Sequence, residues 1–172
     1  ENKTIFLERN DNSTEPAQIQ FSEGILTGWS LNIDAKAQLG YEKEDGNRFS
    51  KLGLTGCITF NDMILENIKI NLSNSYCEDA IHFVRTSGYI ENLNVKDSAF
   101  DAIDADFSNL TFENLNITNA GNDCIDFSFG KYELNDTRLT NCADKGISSG
   151  ETAIVNINTI YVNESNYGIV SK

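Results

Sequence analysis

The carboxylates of this chain fall into columns. Asp79, Asp101 and Asp123 recur every 22 residues, and Lys145 occupies the next place in the series. Three positions on, His82, Asp104, Asp126 and Ser148 keep the same spacing. Asp106 and Ser128 make a shorter third row, and Glu78 and Asp144 flank the first. If each repeat stacks on the one before, equivalent side chains lie about 4.8 Å apart. Neighbouring carboxylates then repel by about 3 kcal/mol at an effective dielectric near 20. An ammonium group relieves that repulsion, as Lys145 would beside Asp123. A bound Ca²⁺ relieves it too, because the ion favours clustered carboxylate oxygens, and Asp79, Asp101 and Asp123 are the metal candidates. A raised pKa on one acid, as in an acid/base pair, is the third relief. In that case Asp101, Asp123 and Lys145 are the catalytic candidates, with Asp104, Asp106 and Asp126 as ligand-binding neighbours. The plainest reading is that the acids form a solvated edge or accept hydrogen bonds from turn backbone.

What must position these columns is a repeat. Asp79-Ala-Ile81, Asp101-Ala-Ile103, Asp123-Cys-Ile125, Lys145-Gly-Ile147 and Tyr167-Gly-Ile169 recur at a period of 22, with Gly56-Cys-Ile58 set 23 residues before Ile81. Each repeat opens with Ile in a short alternating stretch, such as Ile103-Asp-Ala-Asp106, then a polar turn, then a second alternating stretch, such as Phe112-Glu-Asn-Leu-Asn-Ile117. The period near two and the β-branched and aromatic residues predict strands, and no segment carries a helical period. A constant repeat of short strands predicts an all-β fold, a right-handed parallel β-helix (solenoid) with about 22 residues per coil. Asn92, Asn114, Asp136 and Asn158 align, as do Asp97, Asn119, Asn141 and Asn163. Asn tolerates the left-handed conformation and can bond to copies above and below, so both rows are expected at turns between coils. Residues 1–50 stand outside the repeat, with strands expected at Ala17–Phe21 and Ile25–Ile33 and a charged loop at Tyr41–Arg48. They are expected to be a cap or irregular first coils, and 51–172 the regular coils.

Composition narrows the partners. A formal charge of −13 with scattered Lys and Arg disfavours nucleic acid and anionic lipid. A cation or a neutral polymer, such as a polysaccharide or glycan, is the more natural partner. No apolar run approaches 18 residues, so no membrane span is expected. The four cysteines lack zinc-type spacing, and the single His82 is not near a cysteine pair. Disulfides in an exported protein fit better. Seven Asn-x-Ser/Thr sequons, at Asn2, Asn12, Asn71, Asn109, Asn116, Asn135 and Asn163, are compatible with an extracellular or cell-surface location. The chain begins without a signal-peptide pattern and stops just after opening a repeat, as an excised segment of a longer multidomain protein would.

The stretch Asp101-Ala-Ile-Asp, then Gly121-Asn-Asp-Cys-Ile125, then Cys142-Ala-Asp-Lys-Gly-Ile-Ser148 resembles the motif series of the polygalacturonase family. The resemblance covers roughly residues 99–150. It implies a right-handed parallel β-helix and hydrolysis by a set of carboxylates. Asp101 matches the Asp of the family's first motif and Asp123 the second Asp of its Asp-Asp-Cys motif. Asn122 stands where the family has its acid, Lys145 replaces its His, and the Arg-Ile-Lys motif is absent. Inverting hydrolysis needs a carboxyl that protonates the leaving oxygen, and an Asn cannot supply that proton. The resemblance also implies that Cys124 bonds to Cys142, with Cys57–Cys77 repeating the staple in an earlier coil. Asn122-Asp-Cys-Ile-Asp126 and Cys142-Ala-Asp-Lys-Gly-Ile-Ser-Ser-Gly-Glu151 also resemble right-handed β-helix repeat modules of large bacterial surface proteins, which implies export and no known activity.

Two functions compete. In the first, a non-catalytic module presents an acidic face to carbohydrate or a cation; no cofactor is required, with Ca²⁺ the candidate ion. In the second, a glycosidase, lyase or epimerase acts on an acidic glycan, with Lys145 as base near Asp123 and Asp101. An enzyme should bring Asp101, Asp123, Asp126 and Lys145 together in a groove. A module should leave them on a flat face or held in turn hydrogen bonds.

Overall fold

A computed structural model describes residues 3–9, 15–36 and 48–172. The expected loop at Tyr41–Arg48 lies outside the described residues except for Arg48, and so do the sequons at Asn2 and Asn12. Eleven strands run in chain order: β1 (Lys3–Glu8), β2 (Ile19–Thr27), β3 (Trp29–Asp34), β4 (Gly56–Ser75), β5 (Asp79–Val84), β6 (Ser87–Ser98), β7 (Asp101–Asp106), β8 (Asn109–Ala120), β9 (Ile125–Ser128), β10 (Lys131–Gly150) and β11 (Ile154–Ser171). Every pairing is parallel, and the described residues contain no helix. The chain winds into a β-solenoid of about seven turns with about 23 residues per turn.

The Ile that opens each repeat points inward. Ile58, Ile81, Ile103 and Ile125 pair in succession, Ile125 pairs with Ile147, and all five are fully buried. Two positions on, Phe60 and Phe83 stack at 5.2 Å, but the next member of the row is Ala105. Phe112 meets Phe83 edge-on from the opposite strand, and Tyr132 stacks on Phe127 at 3.9 Å with its hydroxyl donating to Ala105 O at 2.8 Å. A small residue in one row is thus matched by a large one in another, which keeps the interior close-packed. Cys57–Cys77 and Cys124–Cys142 are disulfides, with Cα atoms 5.4 and 5.3 Å apart. Each closes most of one coil, which in a chain-entropy account stabilises by about 3 kcal/mol.

The coil length departs from 22 where an extra residue is accommodated. Asn67, at φ 54°, sits at a register shift between β4 and β6. Between β10 and β11 the offset is 23 as far as Cys142↔Ser165, and a bulge restores 22 at Lys145↔Tyr167. One expected Asn row is therefore corrected at its end. Asp97, Asn119 and Asn141 do adopt left-handed turns, but the next member is Glu164 and not Asn163. In the other row, Asn92, Asn114 and Asp136 pair within strands and not at turns, and Asp136 meets Thr159 while Asn158 donates to Asn135. An amide ladder that the spacing argument did not single out runs Asn32–Asn71–Asn94–Asn116.

β1–β3 continue the same parallel stack. The strands expected at Ala17–Phe21 and Ile25–Ile33 are divided elsewhere: one runs Ile19–Thr27 through the expected gap, and the next, Trp29–Asp34, starts after Gly28 with φ 68°. Ile19 pairs with Ile58 and Ser30 with Lys69, partners 39 residues apart, so the connection from β3 to β4 carries the excess length. At the other end β11 packs on β10 alone. Its Val155, Ile157, Ile160 and Val162 are only half buried and Ile169 is exposed.

Candidate functional site: two acidic columns on one edge

Strand alternation separates the acids into two environments. Asp101 stands two residues before Ile103 and shares its inward side; Asp104 follows Ile103 and faces out. Asp79, Asp101 and Asp123 are all buried, whereas His82, Asp104, Asp106 and Asp126 are half-buried.

The inward column is a ladder of turn acceptors. Asp101 Oδ1 accepts from Asn122 Nδ2 at 2.7 Å and from the Asp123 backbone N–H at 2.8 Å. Asp123 Oδ1 accepts from the Lys145 backbone N–H at 3.0 Å, and Lys145 Nζ reaches both Asp123 oxygens at 3.3 and 3.4 Å. Lys145 Nζ also pairs with Asp144. That hydrogen bond, reinforced by Asp123, raises the lysine's pKa. A general base at neutral pH needs the opposite shift. Burial pushes Asp101 up to about 7, against the pull of its bond from Asp123 N–H and with the help of the Asp79 charge.

Asp79 breaks the ladder. It is fully buried, and neither carboxylate oxygen makes a well-formed hydrogen bond, although the Thr55 hydroxyl lies close enough to favour the charged form. Phe100 stands where Asn122 and Asp144 stand in later coils, and the Asp101 N–H goes to Glu78 O at 3.1 Å. Both donors that serve Asp101 are thus missing for Asp79. Burial raises its pKa, with the His82 charge acting against that.

The outward column pairs His82 with Asp104 and Asp104 with Asp126, then Asp126 with Ser148. His82 Nδ1 is 2.8 Å from Thr55 Oγ1; its Nε2 is 3.2 Å from Asp106 Oδ2 and 3.9 Å from Asp104 Oδ2. Burial lowers the His82 pKa, but the bond to Asp106 and the charges of Asp104 and Asp79 outweigh it and the net shift is upward. Asp104 is pushed up to about 8, first by burial and then by the charge of Asp79. Burial also raises Asp126. Among the described residues, His82, Asp104 and Asp106 are the one group of three such side chains whose ligand atoms lie within 4.8 Å of one another. Asp79, Asp101 and Asp123 do not form such a group. Arg48 reaches the same edge, with Nε donating to Glu78 Oε1 at 3.0 Å.

The acidic face has an aromatic rim. Phe107 and Phe129, directly after Asp106 and Ser128, stack with centroids 4.3 Å apart and planes within 10°. Both are in the left-handed region, at φ 52° and 56°, which costs a bulky L-residue roughly 1–2 kcal/mol. Phe107 is 54% exposed. Beyond them Ser128 Oγ donates to Glu151 Oε2 at 2.5 Å. The pair repeats at 22 residues and could have been found by that signal alone. Two concavities lie elsewhere, one beside Phe6, Ile33 and Leu72 and the other along Asn74, Asp97, Asn119 and Asn141.

No family model, curated protein or solved structure matches this chain.

Proposed function

We propose that the chain is a non-catalytic binding module of an exported or surface-displayed protein, and that its acidic face takes carbohydrate. One observation carries this reading: a Phe107–Phe129 stack, with Phe107 exposed and Phe129 half-buried, adjoins a row of outward carboxylates. Aromatic faces pack against the apolar faces of sugar rings, and carboxylates accept from sugar hydroxyls. The pattern shared with polygalacturonases supports a β-helix that handles polysaccharide, but not its hydrolysis. Asn122 cannot serve as the acid, and Lys145 is held as an ion-pair partner. The two disulfides and the lack of an apolar helix among the described residues are compatible with export. The test is retention on neutral and acidic polysaccharides by affinity electrophoresis, with Phe107→Ala/Phe129→Ala alongside. Retention should fall at least about tenfold in the double variant. Equal retention of the two proteins would sink the assignment of the face.

A second reading rests on Asp104. Burial and the Asp79 charge push this carboxyl up to about 8, the direction that a general acid needs. Polysaccharide cleavage lost in Asp104→Asn would favour an enzyme over a module.

A further inference from the structure

We propose that His82, Asp104 and Asp106 bind a first-row divalent transition metal, with Zn²⁺ or Mn²⁺ the fitting class, in front of the buried Asp79 carboxyl. This inference is independent of the carbohydrate reading, since it concerns the metal alone.

The three side chains project from one face of two paired strands. His82 and Asp104 are direct neighbours, and Asp106 lies two residues further along β7. Ligands about 2.0–2.2 Å from a metal are roughly 3.0–3.5 Å from one another. Nε2 lies 3.2 Å from Asp106 Oδ2, already within that range, and 3.9 Å from Asp104 Oδ2, and all three ligand atoms lie within 4.8 Å of one another. The imidazole is already aimed: Nδ1 is held 2.8 Å from Thr55 Oγ1 and Nε2–H points at the carboxylates, so loss of the Nε2 proton would turn its lone pair towards the site. Metal-bound histidines are held by such an outer partner. One imidazole and two carboxylates suit Zn²⁺ or Mn²⁺, whereas Ca²⁺ seeks six to eight oxygens.

Asp79 is the second, independent observation. A wholly buried carboxylate with no well-formed hydrogen bond is costly. Its charge is felt at both His82 and Asp104. A dication at the three ligands would favour the charged form of the same carboxyl that the turn ladder leaves without a well-formed donor. Binding requires Nε2 free of its proton and both ligand carboxylates ionised, so uptake releases protons to the buffer.

The experiment uses untagged protein, treated with EDTA and dialysed. ZnCl₂ and MnCl₂ are titrated at pH 7.5 in two buffers of different ionisation enthalpy. The expected result is one equivalent bound, proton release and a raised melting temperature. His82→Gln and Asp106→Asn should each weaken binding at least about tenfold, and Thr55→Val about tenfold through loss of ring positioning. Asp136→Asn should bind as the parent does. Circular dichroism confirms that each variant is folded. The proposal is overturned if neither metal binds at one equivalent. It is equally overturned if folded His82→Gln and Asp106→Asn bind like the parent, or if Asp136→Asn loses as much affinity as they do.

Discussion

The two acidic columns sit three residues apart in every coil, yet they have opposite relations to the backbone. In the inward column, each of Asp101 and Asp123 is met by an N–H from the next coil and by a side chain one coil on. These acids hold the stack together. In the outward column, Asp104 faces His82 on one side and Asp126 on the other, so one neighbour relieves its charge and the other opposes it. Stacking supplies backbone donors only to side chains that turn inward at the start of a strand. A repeated acid outside that position is either a cost or a site.

The sharpest way to break this comparison is at Asp123. Asp123→Ala should cost about 3 kcal/mol in urea unfolding, because it strips a buried acceptor from one N–H and a partner from Lys145. A loss below about 1 kcal/mol would mean that the inward acids do not hold the coils. Next in size is a pH effect at Asp101. Its folded pKa, about 7, lies above its unfolded value, so the folded state holds a proton that the unfolded state has lost. Stability from this group is therefore full near pH 4 and declines as pH rises towards 7. In EDTA, Asp101→Asn should flatten the fall in melting temperature over that window, a difference of about 2 kcal/mol between pH 4.5 and 7.5. A parallel fall in parent and variant would contradict it. Asp79→Asn tests the unserved member of the same column. Without metal at pH 8 it should stabilise by about 1 kcal/mol, opposite in sign to Asp123→Ala, since it removes a buried charge. The smallest effect belongs to the outward column, where Asp126→Ala should shift stability by no more than about 0.5 kcal/mol. A larger loss would blur the line between the two columns.

Much of the fold was legible because identical residues return every 22 positions. The Ile row falls where that spacing puts it, and the cysteines pair as the motif resemblance implied. The last Asn row slipped because one extra residue in the final coil is invisible until the strands are paired. The candidate site was half legible. Spacing placed Asp101, Asp104 and Asp123 in columns, and counting from Ile103 would have said which faced inward. It could not say that Phe100 deprives Asp79 of the donor that Asn122 gives Asp101, since a column records position and not who bonds to whom. Phe107 and Phe129 escaped notice because a left-handed turn is normally sought at Gly or Asn.

The disulfides have a consequence for which part of the molecule loosens first. A linear stack frays from its ends, because each coil is held only by its neighbours. One staple closes the coil of β4 just ahead of Asp79, and the other closes the coil joining β9 to β10, beside Asp123. Amide hydrogens should therefore exchange first in β11, whose apolar side chains are half covered, and last between the two staples. Both acidic columns lie in that interval, so the spacing of their charges would outlast partial unwinding of the end coil.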